Sequence, residues 1–292
     1  MAFQSVCIPV ACLTPRAFYS YPHWEPRLVS TPSSFRGKNL KEDREKAYGG
    51  KLSPTAMKRL KGYVDLLVDQ ALPKTAINLK TGKPFTFLVS FVTLTLPASQ
   101  GKITDAEIHK YSFKPFMMRM RRKFKLKTHI WRRERQKNGN IHYHLLTDVY
   151  IPHSDLREDW NACINRLGFV DRFYKKHGHR NPNSTDIHSV RKVKDLGKYI
   201  AKYMSKDTET AASVKGRLWD CSMNLKKAGK CTIIGTNDDY SHIIALEKFL
   251  ALRKLDVPYC NYYPISREER KLILPETWFK AYEDYLERIR SG

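Results

Sequence analysis

The sequence predicts an α+β protein, an antiparallel central sheet with helices packed on it. Two observations carry this. Runs of β-branched and aromatic residues alternate with amphipathic 3.6-residue patterns in the order strand, helix, hairpin, helix, strand, helix, strand. Between two of the strand-like runs stands Asn138-Gly139, a pair that favours a tight hairpin.

Residues 1–75 are rich in Pro, Ser, Lys and Arg and read as a basic arm with one helix, Pro54 to Ala71, in which Met57, Leu60, Val64, Leu67 and Val68 recur at helical spacing. Thr81-Gly82 marks a turn into a strand from Phe85 to Leu96. A helix follows through "ITDAEIHKYSFKPFMMRMRRKFKLK", capped by Thr104 and interrupted at Pro115. "THIWRRERQ" and "IHYHLLTDVY" then pair as a hairpin. "SDLREDWNACINRLGF" reads as a helix capped by Ser154 or Asp155 and stopped at Gly168. "STDIHSVRKV" is a short strand, "KDLGKYIAKYMSK" a helix and "GRLWDCSMNL" another strand. "HIIALEKFLALRKL" and "PETWFKAYEDYLERIRS" complete the chain as helices. Three regions result: the arm at 1–75, a central domain at 76–235 and a helical C-terminal extension at 236–292. No internal repeat is visible.

The chain of 292 residues carries 53 Lys and Arg against 29 Asp and Glu, a net charge of +24, and 12% of its residues are aromatic. Such a field draws polyanions, and the rings can stack on unpaired bases. Acidic membranes would be attracted as well. However, the longest apolar run, "FTFLVSFVTLTLP", is broken by Thr and Ser and falls short of the roughly 20 residues of a membrane span. "MAFQSVCIPVACL" lacks the basic leader of a signal peptide. The expectation is a cytoplasmic protein without a membrane partner. Six scattered cysteines (Cys7, Cys12, Cys163, Cys221, Cys231 and Cys260), with no C-x-x-C pair, read as reduced thiols.

Two patterns carry chemistry. In "GNIHYHLLTD", His142 and His144 leave the same face of a strand. Hairpin parity decides whether a third donor joins them. With a three-residue loop Asn138-Gly139-Asn140, Glu134 opposes His144 and faces the imidazoles; with a two-residue loop it turns away. Two imidazoles and a carboxylate can hold Mg²⁺, Mn²⁺, Zn²⁺ or Fe²⁺. In "YIAKYMSK", Tyr199 and Tyr203 are four residues apart, as are Lys202 and Lys206, so on a helix each pair shares a side while Leu196, Ile200 and Met204 form the buried stripe. A Tyr hydroxyl, with a pKa near 10, needs help to act as a nucleophile.

"FVTLTLP" (91–97), "HYH" (142–144) and "YIAKYMSK" (199–206), in this order, resemble the three motifs of the HUH endonucleases that initiate rolling-circle replication. The paired tyrosines, each followed three residues later by Lys, are similar to those of the gene A-type initiators of Microviridae. Relaxases of plasmid transfer place the Tyr before the His pair. The resemblance spans roughly residues 80–235 and implies the RRM-like palm of that class. It implies that His142, His144 and Glu134 hold a divalent ion, Mg²⁺ or Mn²⁺, and that Tyr199 or Tyr203 attacks single-stranded origin DNA to leave a 5′-phosphotyrosine and a free 3′-hydroxyl. Lys202 and Lys206 would stabilise phosphate charge, and the displaced strand would be rejoined into a circle.

Between Lys110 and Lys137 twelve cations accompany one acid, Glu134. Among them Arg121, Arg122, Lys123, Arg132, Arg133 and Arg135 are candidate DNA contacts, and the last three also stand near the cleavage motif. Thr93 and Thr95 share a face, where they would support the site or contact DNA; β propensity accounts for them equally well. His177, His179 and His188 read as loop and strand residues. "KAGKCT" is not a phosphate-binding loop, so a host helicase would unwind the duplex and a host polymerase would extend the 3′ end. Competing classes are a transposition or mobilisation nuclease of the same kind, a two-His-one-carboxylate oxygenase and a silent RRM-like binder of single strands.

Overall fold

The computed structural model describes residues 7–24, 52–78, 81–190, 214–228, 232–257 and 260–292. The chain begins with β1 (Cys7–Thr14), β2 (Ala17–Trp24), α1 (Pro54–Gln70), β3 (Lys74–Ile77), β4 (Pro84–Phe87) and β5 (Val89–Leu94). It continues through α2 (Asp105–Ile108), a π-helical turn (His109–Phe113), α3 (Lys114–Phe124), β6 (His129–Arg135), β7 (Ile141–Thr147), α4 (His153–Ile164) and α5 (Phe169–His177). Then come β8 (Thr185–Val190), β9 (Trp219–Cys221), α6 (Met223–Ala228), β10 (Thr232–Gly235) and α7 (Tyr240–Phe249). β11 (Leu255–Val257), β12 (Cys260–Pro264), α8 (Arg267–Ile273) and α9 (Glu276–Ser291) end it. The fold is α+β with antiparallel sheets, as expected.

The chain divides into two compact units, Asn39–Lys226 and Met1–Lys38 with Lys227–Gly292. These divisions differ from the sequence boundaries at 75/76 and 235/236 for a physical reason. Helix α1 belongs with the central sheet, its Tyr63 ring 6.0 Å from Trp219 of β9, while β10 pairs with β1.

The larger unit is built on a five-stranded sheet in the order β8-β5-β7-β6-β9, with every neighbouring pair antiparallel. One face is covered by helices. Val92 and Leu94 of β5, Trp131 of β6 and Tyr143 and Leu145 of β7 join Phe113, Phe116, Met120, Leu156 and Trp160 in one buried core. Phe113 lies stacked on Tyr143 at 4.1 Å, and Trp160 Nε1 donates to the Thr95 carbonyl at 2.8 Å. Thr104 caps α2 as expected, in a capping box with Glu107. Pro115 does not break the helix. The preceding turn widens to π geometry, with the Lys114 N–H reaching the His109 carbonyl, and α3 runs on to Phe124.

Several elements differ from expectation. The strand expected over Phe85–Leu96 bends at Leu88, so β4 pairs with β3 in a separate two-stranded sheet while β5 enters the central one. Helix α4 starts one residue before Ser154, without a side-chain cap, because the Pro152 carbonyl accepts the first helical bond, from Leu156 N at 2.9 Å. Helix α5, unforeseen, lies between Gly168 and Gly178, both left-handed at φ 73° and 74°. The strand expected over "GRLWDCSMNL" is confined to Trp219–Cys221, and α6 takes the rest.

The smaller unit holds a second five-stranded sheet, β10-β1-β2-β12-β11. Where an arm was expected, residues 7–24 form a hairpin closed by Thr14 Oγ1 donating to the Ala17 carbonyl at 3.2 Å. Phe18 stacks on Tyr263 at 5.9 Å and on Trp278 of α9 at 6.2 Å. The C-terminal region is likewise not purely helical, since β11 and β12 extend this sheet. Cys12, Cys163, Cys221 and Cys260 are free thiols. Among the described residues no helix is long and apolar enough to cross a membrane.

Candidate metal centre

The site stands on the other face of the central sheet, and the β6–β7 hairpin builds it. The loop has three residues, but they are Lys137-Asn138-Gly139 rather than Asn138-Gly139-Asn140. Gln136 N donates to the Asn140 carbonyl at 2.8 Å and Gly139 N to the Gln136 carbonyl at 2.9 Å. Gly139, at φ 83°, takes the left-handed place that closes such a loop, and this sets the register. The pairing is therefore shifted by two residues from the expected one: Glu134 opposes His142, and Arg132 opposes His144. A shift of two preserves parity, so Glu134 still faces the imidazoles.

The hairpin is also pinned from outside. Asn140, buried, donates through Nδ2 to the Ala98 carbonyl at 3.0 Å and accepts from Gln100 N at 2.8 Å. Gln100 Oε1 in turn accepts from Ile141 N at 3.0 Å. The loop after β5 thus locks the strand that carries both histidines.

Glu134 Oε1 lies 2.8 Å from His142 Nε2 and 3.2 Å from His144 Nε2. All three donor atoms fall within 4.8 Å of one another, and they form the only such cluster of His, Cys, Asp and Glu among the described residues. This donor set fits a hard or borderline divalent cation. Ligands about 2.1 Å from one ion at right angles stand about 3 Å apart, close to both separations. Burial alone would raise the Glu134 carboxyl. The hydrogen bonds from His142 and His144 outweigh it and hold the group well below the usual carboxylate range, ready to bind a cation. Burial lowers the His144 imidazole against the raising effect of Glu134, which favours the neutral ring that ligation requires.

Neighbours orient these groups. His144 Nδ1, the nitrogen turned away from Glu134, lies 3.2 Å from Thr93 Oγ1 on the adjacent strand. The Phe91 ring stacks on the same imidazole at 5.2 Å and 22°. Arg132, only 3% exposed, places Nη2 3.5 Å from Glu134 Oε2. Support for the metal donors is the role the structure gives Thr93, and pairing with His144 across the sheet is the signal that identifies it.

The other basic candidates divide. Arg133 and Arg135 point to the helix-covered face. Arg133 Nη2 donates to the Lys215 carbonyl at 2.6 Å, so close to Gly216 that a Cβ there would stand 2.8 Å away. Arg135 pairs with Asp105 at 2.6 Å and donates to the Gly139 carbonyl at 2.8 Å. Both guanidinium groups brace the fold. Arg121 and Arg122 are exposed at the end of α3, and Lys123 is held by Asp155 at 2.5 Å and Asp159 at 3.3 Å. His188 of β8 pairs with Asp186 at 2.8 Å on the surface, and His177 and His179 flank Phe173. Tyr199, Lys202, Tyr203 and Lys206 lie outside the described residues.

Residues 89–208 match the model of a replication-associated protein family, the ORF2 type. The matched region opens on the first residue of β5, contains the hairpin with Glu134, His142 and His144, and extends past Lys206. No curated protein and no solved structure matches the chain. The family match, the +24 charge and the triad together support a replication-associated protein with a divalent-cation site, acting on DNA at a replication origin.

Proposed function

We propose that the chain is an HUH-type endonuclease and strand transferase that initiates rolling-circle replication, of the two-tyrosine kind resembling the Microviridae gene A initiators. The observation that carries this reading is the convergence of Glu134, His142 and His144 on one face of an antiparallel sheet, inside the region matched by a replication-associated family. A bound Mg²⁺ or Mn²⁺ would polarise the scissile phosphate and offset charge in the transition state. Glu134, His142 and His144 hold it. Thr93 fixes the His144 ring, and Arg132 keeps the Glu134 carboxylate turned toward the imidazoles.

The nucleophile in this reading is Tyr199 or Tyr203, with Tyr203 favoured for the first cut. Its hydroxyl loses a proton and bonds to phosphorus. The bond from phosphorus to the 3′ oxygen breaks, and that oxygen takes up a proton to become the 3′-hydroxyl that a host polymerase extends behind a host helicase. The second tyrosine repeats the step at the regenerated origin, and the freed 3′-hydroxyl attacks the first phosphotyrosine to close the displaced strand. Lys202 and Lys206 offset phosphate charge during transfer. Arg121 and Arg122, exposed beside the fold, would track the DNA backbone. The +24 charge separates this reading from a two-His-one-carboxylate oxygenase, which gives no reason for it.

End-labelled single-stranded origin DNA incubated with the protein should give a denaturation-resistant adduct with Mn²⁺ and none with a chelator. Tyr199→Phe combined with Tyr203→Phe should abolish the adduct and leave DNA binding intact. An adduct that persists in the double variant overturns the assignment of the nucleophile. Binding that needs no metal and gives no adduct in the wild-type protein identifies a silent RRM-like module instead.

A further inference from the structure

At the hairpin end of the central sheet a cleft of about 420 Å³ opens between the loop after β5, the β6–β7 turn and α5. Its walls include Ser99, Asn138, Arg172, Phe173, Lys176 and His177. None of these is acidic, and the volume lies within the range of small-ligand sites. Arg172, Lys176 and His177 are exposed, and Arg172 and Lys176 have no acidic partner among the described residues. Helix-end electrostatics explain only part of this charge. Lys176 and His177 suit the last turn of α5, but Arg172 stands in its first turn, where a cation opposes the helix dipole. One wall is aromatic, with His177 stacked on Phe173 at 4.3 Å and His179 edge-on to it at 5.1 Å. Cations for a phosphate, a ring platform for a base and amide and hydroxyl groups at the rim are what one unpaired nucleotide requires.

The cleft adjoins the metal centre along the chain. Asn140, in its lining, precedes His142 by two residues, roughly 7 Å along a strand. We infer that this cleft seats one nucleotide of the same single-stranded DNA, beyond the end of the sheet, and so selects where the strand lies relative to the triad. The inference rests on the reading of the protein as a single-strand nuclease and assigns that substrate a second contact surface, on α5.

The test is binding of a fluorescein-labelled oligo-dT by the full-length protein in a chelator, followed by anisotropy across a salt series. Arg172→Glu with Lys176→Glu should weaken binding about tenfold or more and flatten the salt slope by about 1.4, the share of two phosphate contacts on a single strand. Lys271→Glu with Lys280→Glu, the same charge change at exposed positions of the smaller unit, controls for the general field. Photocrosslinking of an oligonucleotide carrying 5-iodouracil should label a peptide containing Phe173 or His177. If the α5 variant binds no worse than the control and this peptide is never labelled, the inference is overturned. These readouts need neither metal nor adduct. Loss of binding in the α5 variant without any wild-type adduct sinks the nuclease reading alone, while an adduct with unchanged α5-variant binding sinks the cleft alone.

Discussion

Along β6, neighbouring residues of like charge have opposite fates. Arg132 and Glu134 face the imidazoles, whereas Arg133 and Arg135 turn to the helices and close on Lys215 and Asp105. Strand alternation imposes the division, since each step moves a side chain to the other face. One face gathers a carboxylate, two imidazoles and a buried guanidinium into a site for a cation and, through it, a phosphate. The other uses two guanidinium groups to tie the sheet to the start of α2. Parity within a strand, not the density of charge along it, separates groups that would act on a substrate from groups that hold the fold.

The largest effect expected from breaking this division lies on the imidazole face. Glu134→Ala should lower Mn²⁺ affinity at least about 100-fold and remove the covalent adduct, with thermal unfolding nearly unchanged; titration calorimetry and adduct assays check it. On the helix face the reverse is expected. Asp105→Ala strands Arg135 and removes the acceptor of Lys215 N. It should cost about 3 kcal/mol of stability, read as a lower urea midpoint, while the Mn²⁺ affinity of the folded protein holds. Equal losses of metal binding in both variants would dissolve the distinction between the faces.

Acid should probe the helix face next. His129 is 3% exposed, and burial, with Arg121 adding to it, lowers its imidazole to about 4. A folded-state value below the ordinary 6.5 means that the unfolded chain binds the proton more readily. The stabilisation is complete above about pH 6.5 and is lost as pH falls toward 4. Between pH 7 and pH 4.5 this one group should cost about 2–3 kcal/mol. His129→Gln should flatten that part of the pH dependence in urea titrations, and an unchanged slope would show that His129 already carries its proton when folded.

How much of this the sequence displays follows from the range of each interaction. The shared face of His142 and His144 and the hairpin itself are local, so two residues and a turn sufficed. Glu134 was visible only through loop parity. Its register was two residues off because the left-handed position of Gly139, rather than the Asn-Gly pair, ends the loop. The fates of Arg133 and Arg135 could not be read at all, since their partners, Lys215 and Asp105, come from distant parts of the chain. Pairing of β1 with β10 joins residues near both ends, and nothing in the "CIPVACLT" pattern names that partner. Helix α5 had a usable signal that went unread, a short amphipathic stretch between two glycines.

The smallest effect expected is also the finest test of the site. Thr93 contacts no substrate in this reading and acts only through the ring of His144, whose Nδ1 it meets at 3.2 Å. Thr93→Val keeps the shape and β propensity of the side chain and removes the hydroxyl. The imidazole can then turn, and the ring nitrogen loses its polar partner in a largely buried place. Mn²⁺ affinity should fall about tenfold, or about 1.4 kcal/mol, with little change in the melting temperature. Thr93→Ser should restore most of it, since a hydroxyl returns to the same strand position. If the valine variant binds Mn²⁺ like the wild type, stacking of Phe91 at 5.2 Å is enough to aim the ring. The orienting role then passes from the hydroxyl two residues along β5 to the aromatic ring on the same face.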